Sequence, residues 1–135
     1  MEKEGKSVEE RFEEYEQRLK EGREAEDDLE IRDALVDKGR LQIDLERFDE
    51  GLETLREAQK ITDVSAGKKE EVMLEMMRVS VRRCDAKTLE TQLNECKKLE
   101  EGGGGDWEKK NKRKVFSGIW NILVRNFAEA AKLLL

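Results

Sequence analysis

Residues 47–55 read RFDEGLETL, and residues 126–134 read NFAEAAKLL. Both segments place an aromatic residue three positions before a small residue and a leucine four positions after it. In both cases a glycine stands twelve positions before that small residue. Small residues at facing points of two antiparallel helices let the backbones approach closely, while larger side chains fill the space on either side. The pattern therefore predicts two helical hairpins. Its positions are Gly39, Phe48, Gly51, Leu55 and Ala58 in one hairpin, and Gly118, Phe127 and Ala130 in the other.

A third hairpin fits between these two, because Gly39 and Gly118 lie 79 residues apart. Apolar residues recur at helical spacing from Met73 to Leu99, with Ser80 in the place of the first glycine and no second small residue. The repeat is longer than the roughly 34 residues of a strict tetratricopeptide (TPR) unit. The sequence thus predicts an all-α fold: a TPR-like α-α superhelix, or solenoid, of antiparallel hairpins with about seven helices.

Apolar periodicity also predicts where the helices begin and end. The first helix, starting near the candidate N-cap Ser7, is acidic and carries a thin apolar stripe, so we expect it to pack on the first hairpin or on a partner. The expected spans are approximately 7–26, 31–46, 48–62, 67–83, 86–101, 106–125 and from 127 onward. These spans divide the chain into an acidic N-terminal helix, residues 1–27, and a helical repeat domain, residues 28–135.

The composition excludes the catalytic sites that depend on histidine or on several cysteines. The 135 residues include 44% charged residues and no histidine, so no Ser-His or Cys-His nucleophile pair and no His-assisted zinc site can form. The two cysteines, Cys84 and Cys96, are too few for a thiolate metal site, and we expect both to be reduced. No apolar run is long enough to span a membrane, and the charged N-terminus does not resemble a signal peptide, so we expect a soluble intracellular protein. We predict no catalytic residues, no cofactor and no metal.

The segment EEGGGGDWEKKNKRKVF, residues 100–116, combines four glycines with a basic run. It lacks the Gly-Lys-Ser/Thr of a phosphate-binding loop, and Asp106 is better placed as the N-cap of the following helix. We expect Trp107 to pack back against the preceding hairpin. Three interpretations of the basic run remain open: a solvated helix face, a docking site for an acidic protein surface, or a nucleic-acid contact, which the overall charge of −6 disfavours. The candidate partner residues are Lys109, Lys110, Arg113 and Lys114.

Three segments resemble one family. They are EIRDALVDKGRLQ at 30–42, KKLEEGGGGDWEKKNKRKVFSGIW at 97–120 and RNFAEAAKLLL at 125–135. This pattern is similar to the N-terminal helical region of the PCI-containing proteasome lid subunits called non-ATPase regulatory subunit 6. The Gly-Asp-Trp corner is the most specific element. The chain departs from the family pattern in its two extra glycines, in Asn126 where Asp is usual, and in Arg113 where an apolar residue is usual.

The resemblance implies a non-catalytic scaffold in the lid of the 19S regulatory particle, supporting ubiquitin-dependent degradation through contacts with other lid and base subunits. It also implies a cytoplasmic and nuclear location, and a PCI module that would follow a truncated repeat domain. The alternatives are a helical subunit of a sister complex, the signalosome or a translation-initiation complex, and a nucleic-acid-binding helical protein. We expect no nucleic acid and no membrane partner, and a monomer for the isolated fragment.

Overall fold

The computed structural model describes residues 7–102 and 107–134. Every regular element in these two ranges is a helix, which confirms the all-α class. The helices are α1 (Val8–Glu24), α2 (Asp28–Asp44), α3 (Phe48–Gln59), α4 (Ala66–Arg82), α5 (Ala86–Glu101) and α6 (Trp107–Leu134).

The C-terminal helices differ from the expectation. Where we predicted a break between residues 125 and 127 and a seventh helix, α6 runs without interruption for 28 residues. The segment NFAEAAKLL contains neither glycine nor proline, and its alanines, leucines, glutamate and lysine all favour helix. A spacing that resembles a hairpin frame is therefore accommodated within one helix, because no residue ends it.

The chain forms two compact units. The first, Met1–Val64, contains α1, α2 and α3, and α2 packs against both of its neighbours. The second, Ser65–Leu135, contains α4, α5 and α6, and each of these helices contacts the other two. The apolar stripe of α1 thus lies on the first hairpin, which is one of the two arrangements expected from its sequence.

Three helix corners share one geometry. Glu26, Glu46 and Cys84 adopt positive φ values of 53°, 63° and 54°, in the left-handed region that usually holds glycine. At each corner this residue donates its amide to the carbonyl three residues back, and the next amide donates to the carbonyl five residues back. These bonds satisfy the last carbonyls of one helix, and the residue after the corner is already the N-cap of the next. Each corner therefore has no flexible linker between the two helices that it joins.

The crossing of α2 and α3 is built on glycine. A Cβ added to Gly39 would lie 2.9 Å from Leu55 Cδ2, and one added to Gly51 would lie 2.8 Å from Ile43 Cγ1 and 3.3 Å from the Gly39 carbonyl oxygen. Leu55 is fully buried beside this contact, and Ala58 is buried one turn further along. The two backbones approach closely because neither glycine carries a side chain.

The α4–α5 hairpin has a different register from the one expected. The hydroxyl of Thr54 donates to Gln42 Oε1 (2.6 Å) in the first hairpin, and the hydroxyl of Ser80 donates to Gln92 Oε1 (2.8 Å) in the second. Both Gln42 and Ser80 stand four positions before the left-handed corner residue, so Ser80 corresponds to Gln42 and not to Gly39. Counted from the same corners, the glycines of the first hairpin correspond to Met77 and Leu89.

Unit 2 is held together by one apolar cluster. Phe116, Trp120 and Leu123 of α6 pack against it from one side. Its buried members are Met73, Leu74, Met77, Leu89, Leu93 and Cys96. At about 25 cal/mol per Å² of apolar surface removed from water, such a cluster supplies most of the driving force for assembling the three helices.

Candidate interaction surfaces

The basic run lies in the first turns of α6. Lys110 and Lys114 are exposed, whereas Lys109 is half-buried. Lys112 forms an ion pair with Glu108 on the surface, with a Nζ–Oε1 distance of 3.4 Å. Of the predicted partner residues, Lys110 and Lys114 are therefore the exposed ones.

Arg113 does not lie on a solvated helix face, which was one of the three interpretations left open for the basic run. Its Nε donates to Glu100 Oε2 at 2.8 Å, and the two side chains are only 14% and 9% exposed. The reason is its position, three residues before Phe116 and seven before Trp120, on the face of α6 that packs on the core. The positive charge of Arg113 on this face is neutralised by the Glu100 carboxylate of α5.

A third charged side chain, Glu70 of α4, completes this cluster. It is 0% exposed, and among the described residues neither of its carboxylate oxygens accepts a hydrogen bond from an N–H or hydroxyl donor. The Glu100 carboxyl lies within reach, and the two groups share a hydrogen bond when one of them is protonated. Burial, followed by the hydrogen bond and charge of Glu100, raises the pKa of Glu70 from 4.5 to about 7. For Glu100, burial alone would raise the pKa, but hydrogen bonds from Glu70 and Arg113 lower it. At pH values below about 7 the cluster therefore holds a neutral Glu70 beside an ionised Glu100–Arg113 pair.

The exposed side of α6 is partly apolar. Trp107 is 79% exposed and does not pack back on the preceding hairpin, which corrects the expectation from sequence. Val115 and Ile122 are 63% and 60% exposed, and a Cβ added to Gly118 between them would meet nothing within 4 Å. Gly118 therefore marks no helix crossing in this structure.

Asp106, predicted as the N-cap, lies outside the described residues, as do the side chains of Phe127 and Ala130.

Unit 1 has its own charged contact, between α1 and α2. Arg18 donates from Nε to Glu30 Oε1 (3.0 Å) and from Nη1 to Asp37 Oδ2 (2.8 Å). Lys38 Nζ lies 2.7 Å from Glu16 Oε1. All of these side chains are partly exposed, so each pair contributes little alone, but together they fix the rotation of α1 against α2.

Charge divides unequally between the two units. Unit 1 carries 22 acidic and 12 basic residues, a net charge of −10, whereas unit 2 carries 11 acidic and 15 basic residues, a net charge of +4. The overall value of −6 conceals this division. Unit 2 thus carries a net positive charge within an acidic chain, which favours acidic partners for α6. The total charge of −6 is therefore not by itself a reason to exclude a nucleic-acid contact.

No group of three or more Cys, Asp or Glu side chains within 7–102 and 107–134 is placed to hold a metal ion. None of the helices described has both the length and the apolar character needed to cross a bilayer.

The cysteines are free thiols, Cys84 exposed and Cys96 buried. Burial, with the nearby charges of Glu70 and Glu100, raises the pKa of Cys96 to about 12, so this thiol stays protonated at neutral pH.

Reasoning from sequence missed Glu70, because a carboxylate in a chain with 33 acidic residues is expected at the surface. A signal was present. Glu70 stands three, four and seven positions before Met73, Leu74 and Met77, which places it on the buried stripe of α4. A carboxylate on such a stripe requires a buried partner or a shifted pKa.

The helices and corners define a class of protein: an all-α chain built from TPR-like helical hairpins. Within that class the family can be named. The model of the family described as 26S proteasome subunit RPN7 matches residues 1–135, and the chain belongs to this family.

Individual relatives agree with the family match. The chain is 29% identical over 128 residues to 26S proteasome non-ATPase regulatory subunit 6 of Oryza sativa, covering 95% of this chain and 32% of the relative. It is 41% identical over 71 residues to 26S proteasome regulatory subunit RPN7 of Saccharomyces cerevisiae, covering 53% of this chain and 16% of the relative. The chain thus spans about a third of the rice relative's length. No solved structure matches it significantly.

Proposed function

We propose that this chain is the helical-repeat part of a non-catalytic scaffold subunit in the lid of the proteasome regulatory particle. The family match over residues 1–135 is the observation that carries the proposal. In this role the hairpins hold a surface at a fixed position and neighbouring lid and base subunits dock on it, in the cytoplasm and the nucleus. The short corners and buried crossings supply the rigidity that such positioning requires.

The exposed part of α6 is the docking surface in this proposal. It combines the cations Lys110 and Lys114 with the apolar side chains of Trp107, Val115 and Ile122. Exposed aromatic and aliphatic groups beside positive charge fit a protein partner with an acidic rim. A nucleic-acid role is less well supported, because Arg113 is already paired with Glu100 and cannot contact phosphates.

The test is purification of the tagged full-length protein from its own cells, with quantification of the recovered subunits by mass spectrometry. We expect lid and base subunits in near-equal amounts. The double variant Lys110→Glu with Lys114→Glu is expected to reduce their recovery. The matched double variant Lys97→Glu with Lys98→Glu changes two exposed lysines of α5 and should not. Recovery of signalosome or translation-initiation subunits instead would overturn the proposal.

The non-catalytic part of the proposal has a separate test. The purified chain is expected to release no fluorophore from ubiquitin-aminomethylcoumarin or from peptide-aminomethylcoumarin substrates, and no phosphate from ATP. Turnover that survives repurification and is lost in a point variant of this chain would contradict a purely structural role.

A further inference from the structure

The charged cluster of unit 2 joins all three of its helices. Glu70 belongs to α4, Glu100 to α5 and Arg113 to α6. The Glu100–Arg113 ion pair joins α5 to α6 at 2.8 Å. Glu70 is fully buried and lies within hydrogen-bonding reach of the Glu100 carboxyl. Any change in the charge of Glu70 therefore acts at the point where α6 contacts the other two helices.

The two charge states of Glu70 have opposite effects on this contact. When protonated, its carboxyl group can donate a hydrogen bond to the Glu100 carboxylate, and the cluster carries one negative and one positive charge. When ionised, Glu70 has no donor for either oxygen, lies close to a second carboxylate and is shielded from water. Burial of a carboxylate without a hydrogen-bonding partner is costly, so the ionised form favours any rearrangement that admits water.

We propose that a proton on Glu70 controls the docking of α6 on α4 and α5. With the proton in place α6 is seated on the apolar cluster, and loss of the proton favours a locally opened form in which water reaches the Glu70 carboxylate. The device is independent of the proposed function. It acts on α6, the helix whose outer face carries Trp107, Val115 and Ile122.

Other ionisable groups around Glu70 set the pH range of this switch. From α5 it is faced by Glu100 and by the Cys96 thiol, and from α6 by Lys109 and Arg113. The two cations of α6 lower the pKa of Glu70, but burial and Glu100 outweigh them and hold it at about 7. The thiol of Cys96, with a pKa of about 12, does not ionise in the same range. Opening is therefore expected near neutral pH and assigned to Glu70.

Trp120 is a built-in reporter of the docked state. It packs against the apolar cluster from α6, and its indole Nε1 is buried. The chain has two tryptophans, and the other one, Trp107, is 79% exposed. The substitution Trp107→Phe on the surface thus leaves Trp120 as the single source of indole fluorescence.

The experiment measures acrylamide quenching of Trp120 in the full 135-residue chain carrying Trp107→Phe. We expect the quenching constant to rise about twofold between about pH 6 and about pH 8, with a midpoint near the pKa of Glu70. Glu70→Gln, which keeps the shape of the protonated carboxyl, should hold the constant at its low-pH value throughout. Glu90→Gln alters an exposed carboxyl of α5 and should leave the transition unchanged.

Two further measurements test the proposal if Glu70→Gln folds poorly. Glu100→Gln removes the neighbouring charge, so the transition should move to lower pH. Hydrogen exchange of the unsubstituted chain, corrected for the intrinsic pH dependence, should show α6 amides losing protection relative to α2 amides as pH rises. Protection of α6 that stays the same between about pH 6 and about pH 8 would overturn the proposal. A fluorescence transition that persists in Glu70→Gln would also overturn it.

Discussion

The α2–α3 and α4–α5 hairpins turn through the same type of corner but are filled in different ways. Each is tied by a side-chain hydrogen bond in the turns next to its corner. At the crossing, the first hairpin has Gly39 and Gly51, whereas the second has Met77 and Leu89, both fully buried. The corner and the hydrogen bond thus decide which residues face each other. The size of the facing residues then decides whether backbones or side chains meet between the helices.

The largest effect is expected when the second hairpin receives the glycine of the first. Met77→Gly should lower the free energy of unfolding by about 3–6 kcal/mol, because it leaves a cavity in the apolar cluster and places a poor helix former inside α4. Urea unfolding followed by circular dichroism measures the change. A loss below about 1 kcal/mol would mean that α4 and α5 can close to a glycine crossing.

The second test concerns the buried carboxylate of unit 2. Because the pKa of Glu70 is raised from 4.5 to about 7, the folded state binds more protons than the unfolded state in this window, and stability falls as pH rises through it. The expected loss is on the order of 3 kcal/mol. Glu100 acts in the opposite direction, since its lowered pKa means that stability is lost as pH falls through its folded value.

Stability contributed by this pair should therefore be greatest at mildly acidic pH. Urea unfolding at a series of pH values checks the sign, and Glu70→Gln should remove the decline toward alkaline pH. A stability that rises steadily from mildly acidic to mildly alkaline pH would contradict the assignment of the proton to Glu70.

A third prediction separates two glycines by their surroundings. Gly51→Ala should destabilise the chain by about 1–2 kcal/mol, because the new methyl group would overlap Ile43 and press on the Gly39 carbonyl oxygen. Gly118→Ala is the matched control in an open helical position and should stabilise by about 0.5–1 kcal/mol. Thermal unfolding of both variants gives the comparison, and changes of the same sign would refute a close crossing at Gly51.

The smallest expected effect tests whether the two side-chain hydrogen bonds are equivalent. Thr54→Val and Ser80→Ala each remove the donor and leave a glutamine oxygen without it, at a cost of about 1 kcal/mol. Similar losses by chemical denaturation would support the register that aligns Gln42 with Ser80. A loss for Thr54→Val with none for Ser80→Ala would show that the second hydrogen bond is dispensable.

The sequence predicted the hairpins best where glycines set the spacing. Gly39 and Gly51 can be recognised because two small residues twelve positions apart stand out in a charged chain. The register of the second hairpin could not be recognised in this way. Its corner holds Cys84 in the left-handed conformation, and the first hairpin has Glu46 there, so no glycine identifies the corner from the sequence.

Errors about α6 and its surroundings have two other physical causes. The pattern at NFAEAAKLL repeats the spacing of a hairpin, but only a residue that ends the helix could have made it one. Charged residues are rarely buried, so the sequence favours a surface position for both Glu70 and Arg113. The spacing of neighbouring apolar residues places Glu70 on the apolar stripe of α4 and Arg113 on that of α6. That the two side chains meet in one cluster depends on how the helices pack, which the spacing does not show.

The contrast between the two cysteines has a practical consequence. Cys84 is an exposed thiol in a hydrogen-bonded helix corner, whereas Cys96 is enclosed in the core with a thiol pKa of about 12. A maleimide dye or nitroxide added to the native chain should therefore attach selectively at Cys84, without engineering of the sequence. Because that corner is short and held by backbone hydrogen bonds, the label would report the position of the α4–α5 hairpin within any larger particle.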